Sequence, residues 1–366
     1  MSETVRKLQH LTSASRYDLC SPGECMQLLG AGTCITYNRN NTWCGTMLKV
    51  LMHGSCSYDC AYCGIRLCRH RISFTPQELA RTFLQLYRNG QVGGLFLSSG
   101  IPDDVDLVMA DLLETARLLR ANAYDGYLHL KILPGASRND IDTAARFANR
   151  ISINVETTGE SRLRALSGIK DYRNDILKRM AWVAEAKPEG HTTQLVVGAA
   201  GETDEEIFRC VTGLYGTYRP HRIYYSGFHP LNGTRLAGSE GAPSWRVRRW
   251  YQMDYLVREY GIPERELRTV LTESGSLMNA DPKEILSQDH PPLDPNTATR
   301  DELLRVPGIG PERADAIIRF RDERPLRTTA DLRSFGIPVR KAGPCLILSR
   351  EHAMQSTLSG FAVENG

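Results

Sequence analysis

Short apolar runs of strand length alternate along the chain with segments whose apolar residues recur every three to four positions, the period of a helix. Six runs are predicted to be strands, over 47–55, 94–97, 127–133, 151–156, 193–198 and 222–226. Helices are predicted between them, over 76–90, 104–121, 138–149 and 173–187. Repeated strand–helix units of this kind predict an α/β fold, with a parallel sheet and crossover helices.

Local end signals support the helices. Thr75 suits an N-cap, Pro76 suits the first helical position, and Glu78 completes a capping box. Thr299 and Glu302 repeat the capping-box pattern near the C-terminus, after a break rich in proline. We therefore expect five segments: a cysteine-containing extension at 1–45, an α/β core at 46–235, a helical extension and linker at 236–293, a small all-α unit at 294–350 and a tail at 351–366.

The composition of the chain limits its number of domains and its cellular location. The chain has 366 residues, 41% of them hydrophobic, which is enough for one large core and an accessory domain. No apolar run approaches the about 18 residues of a membrane span, and the N-terminus has no apolar segment typical of a secretion signal. Most of the ten cysteines lie before residue 69. A cytoplasmic protein whose thiols bind metal fits this pattern better than a disulfide-bonded secreted one.

The strongest chemical signal is a loop that follows the first strand and carries Cys56, Cys60 and Cys63. Thiolates are soft ligands suited to zinc, copper(I) and iron–sulfur clusters. Three ligands leave one position open, where a closed site would take four, and on a 4Fe–4S cluster the open iron can bind a substrate or cosubstrate. A zinc knuckle is the alternative, although zinc motifs usually pair C-x2-C with a second, distant pair.

Four further thiols precede this loop, at Cys20, Cys25, Cys34 and Cys44. Together they are candidates for a second cluster or a zinc ion. Their spacing matches no metal motif with a known mechanism, and partly buried thiols that pack as small hydrophobes explain them as well.

The pattern C-x3-C-x-aromatic-C, with Tyr62 before the last cysteine, resembles the radical S-adenosylmethionine (SAM) superfamily. The resemblance implies a partial (β/α)6 barrel related to the TIM barrel, a 4Fe–4S cluster held by Cys56, Cys60 and Cys63, and SAM bound at the fourth iron. It also implies reductive cleavage of SAM to a 5′-deoxyadenosyl radical that abstracts hydrogen from a substrate, with an electron donor such as flavodoxin or ferredoxin.

Residues at the predicted strand ends extend the resemblance. The residues that it implies as SAM contacts are Tyr62, Ser98, Ser99, Gly100, Lys131, Asn154, Glu156, Gly198 and Glu202. Ser98-Ser99-Gly100 stands where the superfamily usually has Gly-Gly-Glu, so a backbone contact can persist but a glutamate role cannot. Solvated strand ends and ordinary turn chemistry are the alternatives for each of these residues. Cys68, Tyr224 and Tyr225 are candidates for returning a hydrogen atom to a product radical, and packing is the alternative role for each.

The segment Leu304-Arg305-Val306-Pro307-Gly308-Ile309-Gly310 resembles a helix-hairpin-helix (HhH) motif, followed by a degenerate second copy at 329–338. In such motifs a glycine turn and the next helix present backbone N–H groups to a DNA phosphate. The candidate contacts are Gly308, Ile309, Gly310 and Arg313. A basic, aromatic stretch at 244–251 suits nucleic acid or a solvated helix face equally well. HhH units also serve as packing or protein-interaction modules.

Most of residues 15–350 resemble a group of radical SAM proteins assigned to DNA modification or repair and found with uracil-DNA-glycosylase-like partners. The residues that carry this resemblance are Tyr17-Asp18, 46–63, 94–100, 126–134, 224–234 and the HhH segment. It implies an enzyme acting on DNA, or on RNA, with no membrane partner. Two alternatives stay open: a radical enzyme for a metabolite or peptide, with the HhH as an interaction module, and a non-catalytic DNA-binding redox sensor.

Overall fold

The computed structural model describes residues 3–15, 25–28, 33–36, 47–67 and 71–348. Within it the chain forms two compact units, Met1–Val247 and Arg248–Gly366. Each unit has its own elements and its own apolar core, and each is described separately below.

The first unit is built on one eight-stranded sheet whose strands lie side by side in chain order. The strands are β1 (Cys25–Leu28), β2 (Thr33–Thr36), β3 (Met47–Leu51), β4 (Gly94–Ser98), β5 (Tyr127–Lys131), β6 (Arg150–Ser152), β7 (His191–Val197) and β8 (Arg222–Gly227). Strands β3 to β8 are all parallel and form a curled half-barrel, as the sequence predicts. Strands β1 and β2 extend the sheet antiparallel at the β3 edge.

The first helix of this unit precedes the strands in the chain, and the others connect the parallel strands. The helices are α1 (Glu3–Ala14), α2 (Pro76–Arg88), α3 (Val105–Ala121), α4 (Arg138–Phe147), α5 (Glu160–Leu166), α6 (Lys178–Ala186) and α7 (Asp204–Thr217). Capping boxes open three of them, at Thr75, Ser137 and Thr203. Every residue of β3, β4 and β7 is buried, which is the burial expected of parallel strands covered on both faces.

Several bounds differ from the sequence expectation. The segment 1–45, which has no clear pattern, contains α1, in which Leu8 and Leu11 are buried, as well as β1 and β2. The predicted strand at 151–156 ends at Ser152, and only an isolated bridge from Glu156 to Leu195 continues its pairing. The predicted helix at 173–187 begins as a π-helical segment, Tyr172–Leu177, before α6.

The second unit is all-helical. Its helices are α8 (Ser244–Arg258, which enters this unit at Arg248), α9 (Glu264–Leu267), α10 (Pro282–Leu286), α11 (Arg300–Arg305), α12 (Pro311–Glu323), α13 (Thr329–Ser334) and α14 (Val339–Ala342). Leu303, Ile309, Ile317 and Leu332 are fully buried in its core. Between 259 and 281, α-helix is limited to the single turn of α9, so this stretch is less helical than its composition suggests. None of the helices within the described ranges is long and apolar enough to cross a membrane.

Candidate metal centre and glycine hairpin

The three cysteines of the loop that follows β3 line one cavity at the C-terminal ends of the parallel strands. Parallel α/β folds place their reactive loops at this edge. Cys60 is buried, Cys56 and Cys63 are half-buried, and all three thiols are free. The three thiols therefore lie together at the strand ends, where they could hold a metal centre.

Backbone hydrogen bonds hold the loop between the cysteines. The Ser57 N–H donates to the Ile101 carbonyl at 2.7 Å, and the Ser57 hydroxyl donates to the same oxygen at 2.9 Å. The Ala61 N–H donates to the Leu166 carbonyl at 2.7 Å. These contacts fix the loop on either side of Cys60 to the segment after β4 and to the C-terminal end of α5, and the Cys60 thiol is itself hydrogen-bonded with Lys170.

Asp59 adds a side-chain anchor. Its carboxylate accepts hydrogen bonds from the Ser167 hydroxyl and, at 2.8 Å, from the Gly168 N–H. Burial alone would raise the pKa of Asp59, but these hydrogen bonds lower it below its usual value. The charged carboxylate thus ties the centre of the cysteine loop to the segment after α5.

Gly100 fixes the start of the loop. A Cβ atom at this position would lie 2.3 Å from the Ser55 carbonyl oxygen, so only glycine fits. The Gly100 N–H donates to the His53 carbonyl at 2.9 Å, and the His53 N–H donates to the Ser99 hydroxyl at 3.1 Å. The segment Ser98–Gly100 therefore packs directly against the chain that enters the cysteine loop.

Tyr62 connects the loop to a buried ion pair. Its hydroxyl donates to Glu156 Oε2 at 2.7 Å, and Lys170 Nζ donates to Glu156 Oε1 at 2.8 Å. Burial alone would raise the pKa of Glu156, but Lys170, Tyr62 and Lys131 together lower it. Burial alone would lower the pKa of Lys170, but Glu156 and the neighbouring Cys60 raise it. Both side chains are therefore charged at neutral pH.

Two of the thiols, those of Cys60 and Cys63, are protonated in the metal-free chain. Burial raises the pKa of Cys63 to about 12 and also raises that of Cys60. A metal binds the thiolate, so loading the site displaces these protons. Across the described ranges, no three or more His, Cys, Asp or Glu side chains converge to hold a single metal ion. A 4Fe–4S cubane is a different case, because each cysteine binds its own iron.

Most of the predicted SAM contacts line the same cavity as the thiols. They are Tyr62, Ser98, Ser99, Gly100, Lys131, Asn154 and Glu156. Lys170 lines it as well. The cavity thus combines three thiols with cations, a carboxylate and backbone groups from the ends of several strands.

Other predicted residues lie elsewhere. Gly198 and Glu202 do not line the cavity, because the Glu202 carboxylate accepts from the Gly198 and Ala200 amides and closes the turn after β7. Tyr225 is fully buried, and Tyr224 faces a small interior cavity of the barrel.

The remaining predicted thiols cannot be placed. Cys20, Cys44 and Cys68 lie outside the described residues, and only the backbones of Cys25 and Cys34 are described, in β1 and β2. The suggestions of a second metal site and of a Cys68 hydrogen donor therefore stay predictions.

Two residues of this site, Lys170 and Asp59, have no motif or spacing that would mark them in the sequence. Lys170 follows a short Ser-Gly-Ile turn that carries no motif, and its partner Glu156 lies on a different segment. In the sequence, Asp59 is marked only by being a polar residue between two cysteines. Both act through contacts made by folding, which a linear pattern does not show.

The second unit holds the predicted hairpin between α11 and α12. Gly308 has φ +82°, a left-handed conformation that favours glycine, and a Cβ there would lie 2.5 Å from Pro338 Cγ. Ile309 is fully buried, and Arg313 donates to the Gly308 carbonyl at 2.7 Å, so both hold the turn together. Gly310 is the N-cap of α12 and supplies no side-chain cap.

Family comparisons follow this division of the chain. The model of the radical SAM superfamily matches residues 50–211, which include the cysteine loop and strands β4 to β7. The chain contains a radical SAM domain. The helix-hairpin-helix model matches residues 296–320, which include α11, the glycine turn and most of α12. These matches identify a radical SAM superfamily domain followed by a C-terminal HhH motif, and they identify no reaction.

Solved structures similar to the radical SAM domain share little sequence with it. HydG, a maturase of the [FeFe]-hydrogenase, has 15% identity and a TM-score of 0.47, with 57% of this chain and 49% of HydG covered. SuiB from Streptococcus suis, bound to SAM, has 13% identity and a TM-score of 0.48, with coverage of 58% and 48%. The chain thus spans about half the length of the solved structures it matches. No curated protein matched the chain.

A radical SAM domain implies a 4Fe–4S cluster and SAM, and Cys56, Cys60 and Cys63 have the spacing that this cluster requires. The residues around them fit the pair of cofactors. Three free thiols suit three irons, and Lys131 and Lys170 place positive charge beside the thiols, where anionic groups of a ligand are stabilised.

Proposed function

We propose that the chain cleaves SAM reductively and abstracts a hydrogen atom from a nucleic acid, most simply DNA. One observation carries the nucleic-acid part. The radical SAM domain is followed in the same chain by an HhH hairpin whose second helix, α12, begins without a side-chain cap. By contrast, Thr299 caps α11 and Thr328 caps α13. Uncapped amides at the N-terminus of α12 are donors for a phosphate group.

When bound, the cluster supplies the electron that splits SAM into methionine and a 5′-deoxyadenosyl radical. Cys56, Cys60 and Cys63 would hold the cluster. The hydrogen bonds of Ser57, Asp59 and Ala61 keep the loop in one arrangement before any cofactor arrives, which lowers the ordering cost of binding.

Charged and polar residues of the cavity would bind and orient SAM. Lys131 and Lys170 suit its carboxylate, and Asn154 and Glu156 suit its hydroxyl or amino groups. Val196 and Phe228 line the cavity, pack in an apolar cluster with Leu166, and keep water away from a reactive centre. Tyr224 and Cys68 remain proposed hydrogen donors, whereas full burial makes packing the better role for Tyr225.

The experiment is anaerobic turnover of the reconstituted full chain with SAM and dithionite, with formation of 5′-deoxyadenosine measured with and without DNA or RNA. We expect cleavage in both cases and faster cleavage with the substrate nucleic acid. A Cys60→Ala variant serves as the control that lacks a complete ligand set.

Each result separates the alternatives. Cleavage that ignores every nucleic acid would overturn the DNA proposal and favour a metabolite or peptide substrate. Absence of cleavage by protein with an intact cluster would favour a redox sensor. A uracil-DNA-glycosylase-like partner and a flavodoxin or ferredoxin donor are further proposals, which co-purification and reduction assays would address.

A further inference from the structure

The second unit contains a groove of about 410 Å³ beside the glycine hairpin. Its lining comes from one face of α8, from the hairpin and from the start of α10. Its volume falls within the about 300–1,000 Å³ of small-molecule sites. The groove is separate from the cavity that holds the three cysteines.

Aromatic side chains of α8 line the groove and are not part of the apolar core of this unit. The helix buries Trp250, Met253 and Leu256, and it presents Tyr251 and Tyr255, one turn apart, to the groove. Tyr255 is 40% exposed. A large aromatic ring left in contact with solvent at a concave surface is a common feature of ligand sites.

Tyr260 joins this aromatic wall to the hairpin. Its ring centroid lies 6.4 Å from that of Tyr255, and the ring planes meet at 72°, so the two rings form a corner. Lys283 Nζ lies 4.5 Å from the Tyr260 centroid and donates to the Ile309 carbonyl at 2.6 Å. A Cβ at Gly310 would lie 3.8 Å from the Tyr260 hydroxyl, so the start of α12 is adjacent to the aromatic wall.

The charges of the groove favour an anion. Arg248 and Lys283 line it, and the one acidic side chain in its lining, Asp281, lies 3.5 Å from Lys341 and caps α10. Aromatic rings beside cations and free amides are the combination that binds nucleotides of a single strand, since bases stack on rings while phosphates bind cations and N–H groups. A base inside a duplex is already stacked and would not enter the groove.

We propose that this groove holds one unstacked nucleobase of a single-stranded or locally unpaired nucleic acid. The base lies against Tyr255 and Tyr260, and an adjoining phosphate binds the amides of Gly310 and the first turn of α12. The inference rests on the proposed nucleic-acid contact of the hairpin and adds a substrate class to it. A strand held in this way would be recognised by its unpaired state rather than by its sequence.

The test measures binding of the full chain to three labelled probes by fluorescence anisotropy: a single-stranded DNA oligonucleotide, the same oligonucleotide with abasic sites, and a duplex. We expect the single strand to bind at least about fivefold more tightly than the abasic strand, which corresponds to the lower end of base–aromatic stacking. A Tyr255→Leu variant keeps the apolar bulk but loses the ring and should lose this preference. Tyr255→Phe, the matched control, keeps the ring and should retain it.

A second measurement does not depend on a variant's folding. An oligonucleotide carrying 2-aminopurine should lose fluorescence when its base stacks in the groove of the unmodified protein. Equal binding of all strands, an unchanged Tyr255→Leu variant and no quenching would overturn the groove proposal. If salt-sensitive binding nevertheless persisted and disappeared in Gly310→Asp, the hairpin contact would stand alone. If no nucleic acid bound at all, both proposals would fall.

Discussion

Lys170 Nζ lies 2.8 Å from Glu156 Oε1, and the two side chains are only 7% and 6% exposed. Tyr62, in the cysteine loop, donates to the other carboxylate oxygen of Glu156. The pair therefore neutralises two buried charges and also sets the position of the aromatic residue that precedes Cys63. A charged pair of this kind beside a metal centre serves both the stability of the metal-free chain and the orientation of a ligand.

Removing one member of this pair should destabilise the protein. Lys170→Met leaves Glu156 charged and buried without its partner, which typically costs about 3–5 kcal/mol. Glu156→Gln with Lys170→Met removes both charges and should recover much of the loss. Urea unfolding of the metal-free protein measures both effects, and the exposed Arg173→Met is the control. Additive losses in the double variant would show that the two residues do not interact.

Gly100→Ala should disrupt the cysteine loop. The added Cβ would lie 2.3 Å from the Ser55 carbonyl oxygen, so the backbone on one side must move. We expect a lower iron content after reconstitution and a lower melting temperature. Gly213→Ala, in α7, is the matched control, because a Cβ there meets nothing within 4 Å and should stabilise the helix by about 0.5–1 kcal/mol. Equal iron content in both variants would contradict this account of Gly100.

Gly310→Asp should keep or raise the stability of the protein while it weakens the binding of DNA. Gly310 is the N-cap of α12 with φ −103° and ψ −178°, a conformation that aspartate adopts readily. The new carboxylate would cap the amides of α12, which should hold or raise stability by a few tenths of a kcal/mol. The same carboxylate would compete with a phosphate, so DNA affinity should fall at least about tenfold.

Gly310→Ala is the control for this variant, since it adds the Cβ without a cap or a charge. Thermal melting and anisotropy on the same preparations give the two quantities. DNA binding by Gly310→Asp at the affinity of the unmodified protein would show that the phosphate does not lie at α12.

Binding of nucleic acid should weaken above about pH 8. Burial lowers the pKa of Lys283 to about 8, although nearby Asp281 acts in the opposite direction. The ammonium beside the hairpin is therefore charged below this pH and becomes neutral as the pH rises through it, so the attraction for a phosphate is lost on the alkaline side. Lys283→Arg keeps its charge and should bind equally well from pH 7 to 9. The same decline in both proteins would assign it to another group.

How much of this site the sequence could predict depends on how far apart along the chain the contacting residues lie. The capping boxes at Thr75 and Thr299 are local and form as expected, and so do the glycine turn and the parallel pairing of β3 to β8. The Lys170–Glu156 pair depends on how two separate segments meet at the barrel edge. No periodicity or spacing carries that information.

Two short elements show a second limit on what the sequence pattern predicts. Helix α5 spans only Glu160–Leu166, begins at Gly159 without a side-chain cap, and buries two leucines. Its formation is explained by packing beneath the cysteine loop, where Leu166 accepts a hydrogen bond from Ala61, rather than by a start signal in its sequence. Strand β6 ends at Ser152 although its apolar pattern continues to Val155. Glu156 has φ +66°, and this turn of the backbone aims its side chain at Tyr62 and Lys170.

In the proposed function, the radical formed in this domain takes a hydrogen atom from a nucleic acid. The most direct measurement is mass analysis of 5′-deoxyadenosine produced by the reconstituted full chain with SAM, reductant and deuterated single-stranded DNA. We expect deuterium in 5′-deoxyadenosine, and none with the Cys60→Ala variant. Abundant 5′-deoxyadenosine free of deuterium, from DNA labelled at every carbon-bound position, would contradict this proposal.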